Sequence, residues 1–317
     1  MEGLTIPGSN DIIDAYSRIE GSVNRTPVLA STQLNSIFGC DIRFKCENFQ
    51  KVGAFKFRGA TNALAMLSAE ELSRGVVTHS SGNHAAALSL AAGNRGSKAY
   101  IVMPDNSPAV KKAAVAGYGA EISFCKPTLA AREEAAQRII DNTGATFIHP
   151  YDNFNVICGQ GTAALELYEE HKDLDIVLCP VGGGGLLSGT ATYIKGVNPS
   201  ISVFAAEPAG ADDAFRSFKS GEFISTHIPN TIADGLLTTL SERTFKIISE
   251  KVDDIFTADD ATIVECMRLI WERMKIIVEP SSAVTLAVIK LNPGIFRAKK
   301  VGVILSGGNV DLGSLPF

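Results

Sequence analysis

Short apolar runs alternate with helix-patterned stretches along most of the chain. "GVVTHSS" (75–81) sets two valines ahead of a polar turn and predicts a strand ending there. "NHAAALSLAAGN" (83–94) predicts an Ala/Leu-rich helix, "KAYIVMP" (98–104) the next strand and "PAVKKAAVAGYG" (108–119) the next helix. "AEISFCK" reads as a strand, "TLAAREEAAQRIIDNTG" as a helix and "ATFIHP" as a strand. Further on, "DIVLCPVGGGG" (175–185) is apolar and runs into "LLSGTATYIKGV"; "SVFAAEP" and "KKVGVILSGGN" are two more such runs. Strands alternating with helices require crossover connections, hence parallel pairing and an α/β fold. The block from about 73 to 150 is expected as a small mobile α/β domain, inserted into a larger domain built from 1–72 and 151–317.

Three strand ends run into small polar or glycine-rich turns: "SSGNH" (80–84), "GGGGLLSG" (182–189) and "SGGN" (306–309). Ligands of open α/β sheets sit at the carboxyl ends of strands, so these turns are expected to converge on one crevice.

The bulk numbers remove several function classes. The 317 residues are 45% hydrophobic and 20% charged, as in a soluble globular protein. A net charge of −5 gives no global attraction to nucleic acid or anionic membranes. No apolar run approaches the roughly 20 residues that span a membrane. The opening "MEGLTIPGSN" has no basic stretch followed by an apolar run, so no secretory signal is expected. Six scattered cysteines without a C-x-x-C pair suit reduced thiols in the cytoplasm.

The chemistry-bearing stretches are few. In "VGGGGLLSG", amides unobstructed by side chains open a helix, a natural seat for a phosphate. No Gly-Lys-Ser/Thr follows, so it is not a Walker loop. Gly183 and Gly185 have dinucleotide-fingerprint spacing, but Ser188 stands where a third glycine or alanine belongs. Glu207, ending the next strand, keeps a nucleotide reading open; the alternative is a tight structural turn. In "SSGNH", helix capping explains one of Ser80, Ser81, Asn83 and His84, not the cluster; free amides there suit a carboxylate, whereas His84 alone is more often a packed histidine. Ser306 sits at the mouth of the strand "VGVIL". "EPAGADD" offers Glu207, Asp212 and Asp213 as hard oxygen ligands, although spacing alone favours a solvated acidic loop. In "GAFKFRGA" (53–60), Lys56 lies between Phe55 and Phe57; it either snorkels to water or is desolvated into a nucleophilic amine.

Together these stretches resemble the fold-type II (tryptophan synthase beta-like) family of pyridoxal phosphate enzymes. "KCENFQKVGAFKFRGA", "SSGNHAAALSLAA", "GQGTAALEL", "VGGGGLLSG", "AAEPAGADD", "IADGL" and "VEPSSA" match in order, nearest to the serine-racemising and serine/threonine-dehydrating branch. The resemblance implies two open, twisted, mostly parallel sheets flanked by helices. It implies that Lys56 holds pyridoxal phosphate as a Schiff base. Gly182, Gly183, Gly184, Gly185 and Leu186 would take the phosphate, with Gly235 also at the cofactor. Phe55 would pack on its ring, Asn83 would bond the ring hydroxyl and Ser306 would face the ring nitrogen. Substrate would meet Ser80, Ser81, Gly82, Asn83, His84, Arg132 and Tyr151. Arg132 reads equally as a surface arginine paired with glutamate, and Tyr151 departs from the asparagine of vertebrate-type relatives. Lys56 and Ser81 would be the acid/base pair on opposite faces of the substrate Cα. "SSGNH" here, against the Ser-Ala-Gly-Asn-His of many threonine dehydratases, favours racemisation.

The implied activity is interconversion of L- and D-serine, with elimination to pyruvate and ammonia. The alternative is a threonine, serine or β-hydroxyaspartate dehydratase with little racemisation. Glu207, the Ala211 carbonyl and Asp213 match the family's divalent-cation site. Lys51, Lys275 and Asn309 lie where some members bind ATP. A homodimer is implied, and the end at "SGGNVDLGSLPF" leads us to expect no C-terminal regulatory domain and no isoleucine feedback. An NAD-type oxidoreductase using the glycine loop, or a non-catalytic binder of the cofactor, are the readings from other classes.

Overall fold

The computed structural model describes residues 4–80, 82–107 and 109–317, with the backbone alone for 109–111. Ten strands are found among them: β1 Val28–Leu29, β2 Asp41–Cys46, β3 Val76–His79, β4 Ala99–Pro104, β5 Glu121–Cys125, β6 Thr146–Phe147, β7 Ile176–Pro180, β8 Ser202–Pro208, β9 Asp254–Ala258 and β10 Lys300–Leu305. They form a six-stranded sheet, β1-β2-β10-β7-β8-β9, and a four-stranded one, β5-β4-β3-β6. Every pairing is parallel except β1 with β2. This is the α/β architecture expected from the alternating pattern. The strand read in "ATFIHP" is short because only Thr146 and Phe147 register with β3; Ile148 adds one bond to the Val77 carbonyl before the chain turns away.

The larger sheet is covered on both faces. Val301, Val303 and Leu305 of β10 pack in one apolar cluster with Val284 and Val288 of the helix Pro280–Leu291. Ile304, pointing the other way, joins Val177, Cys179 and Val203 against Leu165 and Leu187. A sheet buried on both faces must be apolar at successive positions, which is why these strands read as runs rather than alternations.

Two helices on that second face, Phe154–Glu170 and Gly185–Val197, cross at glycines. A Cβ on Gly189 would lie 2.5 Å from the Ile157 carbonyl oxygen, so the close approach depends on its absence.

The helix Lys56–Ala65 is tied to this layer by buried charge. Arg58 donates to both oxygens of Glu47 (2.7 and 2.9 Å) and both of Glu166 (2.8 and 2.7 Å). Lys45 of β2 pairs with Glu166 at 2.6 Å and donates to the Thr26 carbonyl. All four charged side chains are fully buried. Two cations face two carboxylates, so the cluster is neutral as a whole.

Among the described residues no helix is long and apolar enough to cross a membrane.

Candidate active site

The carboxyl ends of β3, β7 and β10 carry the three turns expected to converge. The turn after β10 is pinned to the segment preceding Lys56. Phe55 N–H donates to the Ser306 carbonyl (3.0 Å), Gly308 N–H to the Gly53 carbonyl (2.9 Å), and Ala54 bridges to Gly307. Val52 is held at φ 58° just before this. A β-branched residue in the left-handed region is strained, and the Asn309 side chain, donating to the Val52 carbonyl at 2.8 Å, helps hold it there.

Lys56 follows at the first turn of its helix, with Nζ 5.1 Å from the Phe55 ring centroid. Nζ donates to the Pro150 carbonyl at 3.0 Å. Burial pushes the amine down to about 8, against the opposing charge of Glu279. The helix N-terminus also disfavours a cation there. Phe57, its other aromatic neighbour, is fully buried in a separate core cluster with Leu64 and Leu88.

The residue after Pro150 reaches the glycine loop. A Cβ on Gly183 would fall 2.4 Å from the Tyr151 ring, so a bare backbone is required there. Gly184, at φ 85°, is in the region that glycine adopts without strain and begins the helix Gly185–Val197. No acceptor among the described residues meets the amides of Gly182, Gly183, Gly184, Gly185 or Leu186. Buried donors without partners at a helix N-terminus fit a phosphate. Gly235 borders the loop, since a Cβ on Gly182 would lie 2.9 Å from Leu236 Cα, and its own N–H donates to Ser281 Oγ (2.9 Å). The Tyr151 phenol, pushed up to about 12 by burial first and then by Asp152 and Asp213, bonds the Thr238 side chain.

The turn after β3 is partly described. Ser81 lies outside the described residues. Ser80 N–H donates to the Val102 carbonyl, Ser80 Oγ accepts weakly from Gly82 N–H (3.4 Å), and the Asn83 and His84 amides meet no acceptor among the described residues. The Asn83 side chain donates to Glu279 (3.0 Å) and accepts from Asn309 (2.9 Å). His84 is buried, and its Nε2 is 3.2 Å from the Ile148 carbonyl, which makes it the donor. Ser306, also buried, has its hydroxyl 3.1 Å from Ser282 Oγ. Arg132 has a buried Nε without a partner among the described residues. It does not form the surface glutamate pair that its sequence context allowed, and its charge reaches His79.

The sequence pattern does not reveal Glu279, Ser282 or His149. Glu279 receives Asn83 and the Asn309 amide (3.1 Å) and faces Lys56, and Ser282 Oγ accepts from Gly307 N–H and lies beside Ser306. "VEPSSA" held both residues, but only the packing of the helix Pro280–Leu291 under the β10 turn shows where they point.

The acidic loop divides. Asp212 is turned outward to Arg216 (2.8 Å). Glu207 and Asp213 are buried: Glu207 accepts from the Ala214 and Phe215 amides (3.0 and 2.7 Å), and Asp213 lies 2.9 Å from His227 Nδ1. Burial raises Glu207 to about 9 and Asp213 to about 6. Glu207 therefore caps the helix Asp213–Ser220 whatever else it does, and no group of three His, Cys, Asp or Glu poised for a metal occurs among the described residues. Lys51 donates to the Ser22 carbonyl (2.6 Å), and Lys275 ends the helix Asp260–Met274 at φ 60°. Asn309 lines a cavity of about 420 Å³ with Gly82, Asn83, Tyr118 and Asp234, which neither lysine lines.

Two histidines, His84 and His149, feel the charge of Lys56, and a third, His79, stands edge-on to His149. Burial lowers His79, and lowers His84 to about 3 and His149 to about 4, with Lys56 adding to the effect on the latter two. Each binds its proton less readily folded than unfolded. Their contribution to stability is complete above the unfolded value near 6.5 and is lost as pH falls toward the folded values. Between pH 7 and 5, His84 is expected to account for a loss of about 2 kcal/mol. Urea titrations of wild type and His84→Gln at both pH values check this; equal pH losses in the two proteins would refute it.

A family profile described as "Pyridoxal-phosphate dependent enzyme" matches residues 19–307. A serine racemase of Dictyostelium discoideum is 52% identical over 320 residues, covering 99% of this chain and 98% of its own. A beta-hydroxyaspartate dehydratase of Paracoccus denitrificans is 49% identical over 99% of this chain and 100% of its own. The crystal structure of the Dictyostelium racemase superposes with a TM-score of 0.92, covering 96% of this chain and 99% of that one. With glycine-loop amides that meet no acceptor among the described residues, and a lysine of depressed pKa joined to that loop through Pro150 and Tyr151, the chain belongs to the pyridoxal-phosphate dependent enzymes of fold type II.

Proposed function

We propose that this protein racemises serine and, as a side reaction, eliminates water from it to give pyruvate and ammonia. The observation that carries this reading is the Lys56 amine, poised near neutrality and bridged to the glycine loop through Pro150 and Tyr151. Its relatives named serine racemase support the choice of substrate.

When bound, pyridoxal phosphate supplies an electron sink for the pair left at Cα. The protein does the rest. The Gly182–Leu186 amides would hold the phosphate, with Gly235 also at the cofactor; Lys56 would hold the cofactor and Phe55 would pack on its ring. Asn83, oriented by Glu279 and Asn309, would bond the ring hydroxyl. Ser306 would present a neutral hydroxyl to the ring nitrogen, which would give a weaker sink than a carboxylate there. Ser80 and the turn amides of Gly82, Asn83 and His84 take the substrate carboxylate, with Tyr151 at the side-chain end. Lys56 moves the proton on one face of Cα and the Ser81 hydroxyl on the other.

The remaining parts of the reading are a divalent cation on Glu207, Asp213 and the Ala211 carbonyl, ATP near Lys51, Lys275 and Asn309, and a cytoplasmic homodimer. Two buried carboxylates whose protons are held above the ordinary range support the cation, since a dication offsets the cost of ionising both. Residues 73–150, which contain the whole four-stranded sheet, would move as a unit against 1–72 and 151–317. One observation favours a second reading, a β-hydroxyaspartate dehydratase: the unpartnered buried Nε of Arg132 suits a second carboxylate.

The test incubates the protein with L-serine, pyridoxal phosphate and Mg²⁺ and follows D-serine and pyruvate together. D-serine formed by wild type and lost in Ser81→Ala, while elimination from L-serine persists, is the expected result. Pyruvate without D-serine would overturn the racemase reading in favour of the dehydratase.

A further inference from the structure

His149 stands where β6 hands the chain to the helix Phe154–Glu170, between the two sheets. Its Nδ1 accepts from two amides, Tyr151 N–H at 3.3 Å and Asp152 N–H at 2.8 Å. An acceptor contacted by the second and third amides after it folds the chain into a tight turn, as an asparagine side chain does in loops. Pro150 and Tyr151 of that turn reach Lys56 and the glycine loop. The Pro150 carbonyl receives Lys56 Nζ, and the Tyr151 ring stands edge-on to the imidazole (4.6 Å, 87°) and lies on Gly183.

We propose that His149 is a positioning residue: its unprotonated Nδ1 gathers the Tyr151 and Asp152 amides so that the Pro150 carbonyl aims Lys56 and Tyr151 closes over the phosphate seat. The imidazole must be the Nε2–H tautomer, because Nδ1 accepts two bonds only without a proton. Its surroundings favour that form. It is half-buried, Lys56 and Arg243 both place positive charge near it, and the Asp152 carboxylate is engaged by Arg243 at 3.3 Å. His79 meets it edge-on at 6.3 Å and is itself held neutral by burial. No role in proton transfer at the substrate is assigned to it.

The proposal rests on the reading of Lys56 as the residue that holds the cofactor, and the experiment separates the two. His149→Phe keeps a ring but removes the acceptor; His149→Asn restores an acceptor two and three residues ahead of the same amides. Holoprotein is titrated by dialysis against pyridoxal phosphate, and the absorbance band of the lysine-bound cofactor at the visible edge is followed. His149→Phe is expected to hold the cofactor about tenfold more weakly, and His149→Asn to stay within about threefold of wild type. Full retention by His149→Phe overturns the proposal, as does equal loss in both variants. If Lys56→Ala keeps the band, the reading of Lys56 has failed instead. Nitrogen NMR of the histidines in wild-type holoprotein near neutral pH is independent of how the variants fold. A neutral ring with its proton on Nε2 is expected; a proton on Nδ1 overturns the proposal.

Discussion

Replacing Lys56 by alanine is expected to lower turnover of serine by at least about a thousandfold, the scale of removing both a covalent anchor and a general base. Stability should barely change, because among the described residues the side chain makes one hydrogen bond, to the Pro150 carbonyl. Lys56→Arg should be as inactive as alanine, since a guanidinium does not give up its proton. The same amine predicts how apoprotein captures the cofactor. Only the neutral form attacks a carbonyl, and the neutral fraction rises with pH through about 8. The rate of capture should therefore climb through about pH 8, where half of the amine is neutral, and level off about one unit higher. Stopped-flow absorbance of apoprotein mixed with pyridoxal phosphate measures it. A flat profile, or wild-type turnover by Lys56→Ala, would sink the assignment.

Glu166→Gln is expected to cost about 3–5 kcal/mol of folding stability, the scale of removing one partner from a buried ion pair. The variant leaves Lys45 and Arg58 against Glu47 alone, so one positive charge is buried without compensation. Burial works against ionising Glu166, yet Arg58 and Lys45 outweigh it and hold its carboxyl below the usual range. Lys45→Met combined with Glu166→Gln restores neutrality and should cost less than Glu166→Gln alone. Chemical denaturation of the three proteins checks this. Additive losses would mean that charge balance is not what the cluster supplies. The cluster bears on function because Arg58 sits two residues beyond Lys56 on the same helix and ties that helix to Glu47, in the turn that follows β2, and to Glu166 of the helix Phe154–Glu170.

Much of this was legible beforehand. The apolar runs from "GVVTHSS" to "KKVGVILSGGN" became β3, β4, β5, β6, β7, β8 and β10; in β3, β4, β7, β8 and β10 burial on both faces writes a nearly continuous run, whereas β5 and β6 are the more exposed edges of the smaller sheet. The short paired strand β1, along with β2 and β9, was not read. "DIRFKC" alternates lysine and arginine with apolar residues, and nothing local says that Lys45 is buried against Glu166. The glycine loop was legible as a candidate phosphate seat because amides without side chains at a helix start suit an anion. Asp212 shows the opposite case. Its spacing matched its neighbours, but the start of the helix at Asp213 turned it outward to Arg216.

By itself, then, the sequence determined the alternation of strands and helices and the glycine loop, since each depends on residues close together in the chain; from the residues alone, Lys56 stayed open between a snorkelling cation and a desolvated amine. The tertiary structure alone decided what surrounds them. Glu279 reaches Asn83 across 196 positions, Pro150 meets Lys56 across 94, and Arg58 meets Glu166 across 108. Such contacts carry no local pattern, because they follow from how two parallel sheets and their helices pack. That packing desolvates the Lys56 amine and orients the groups around it.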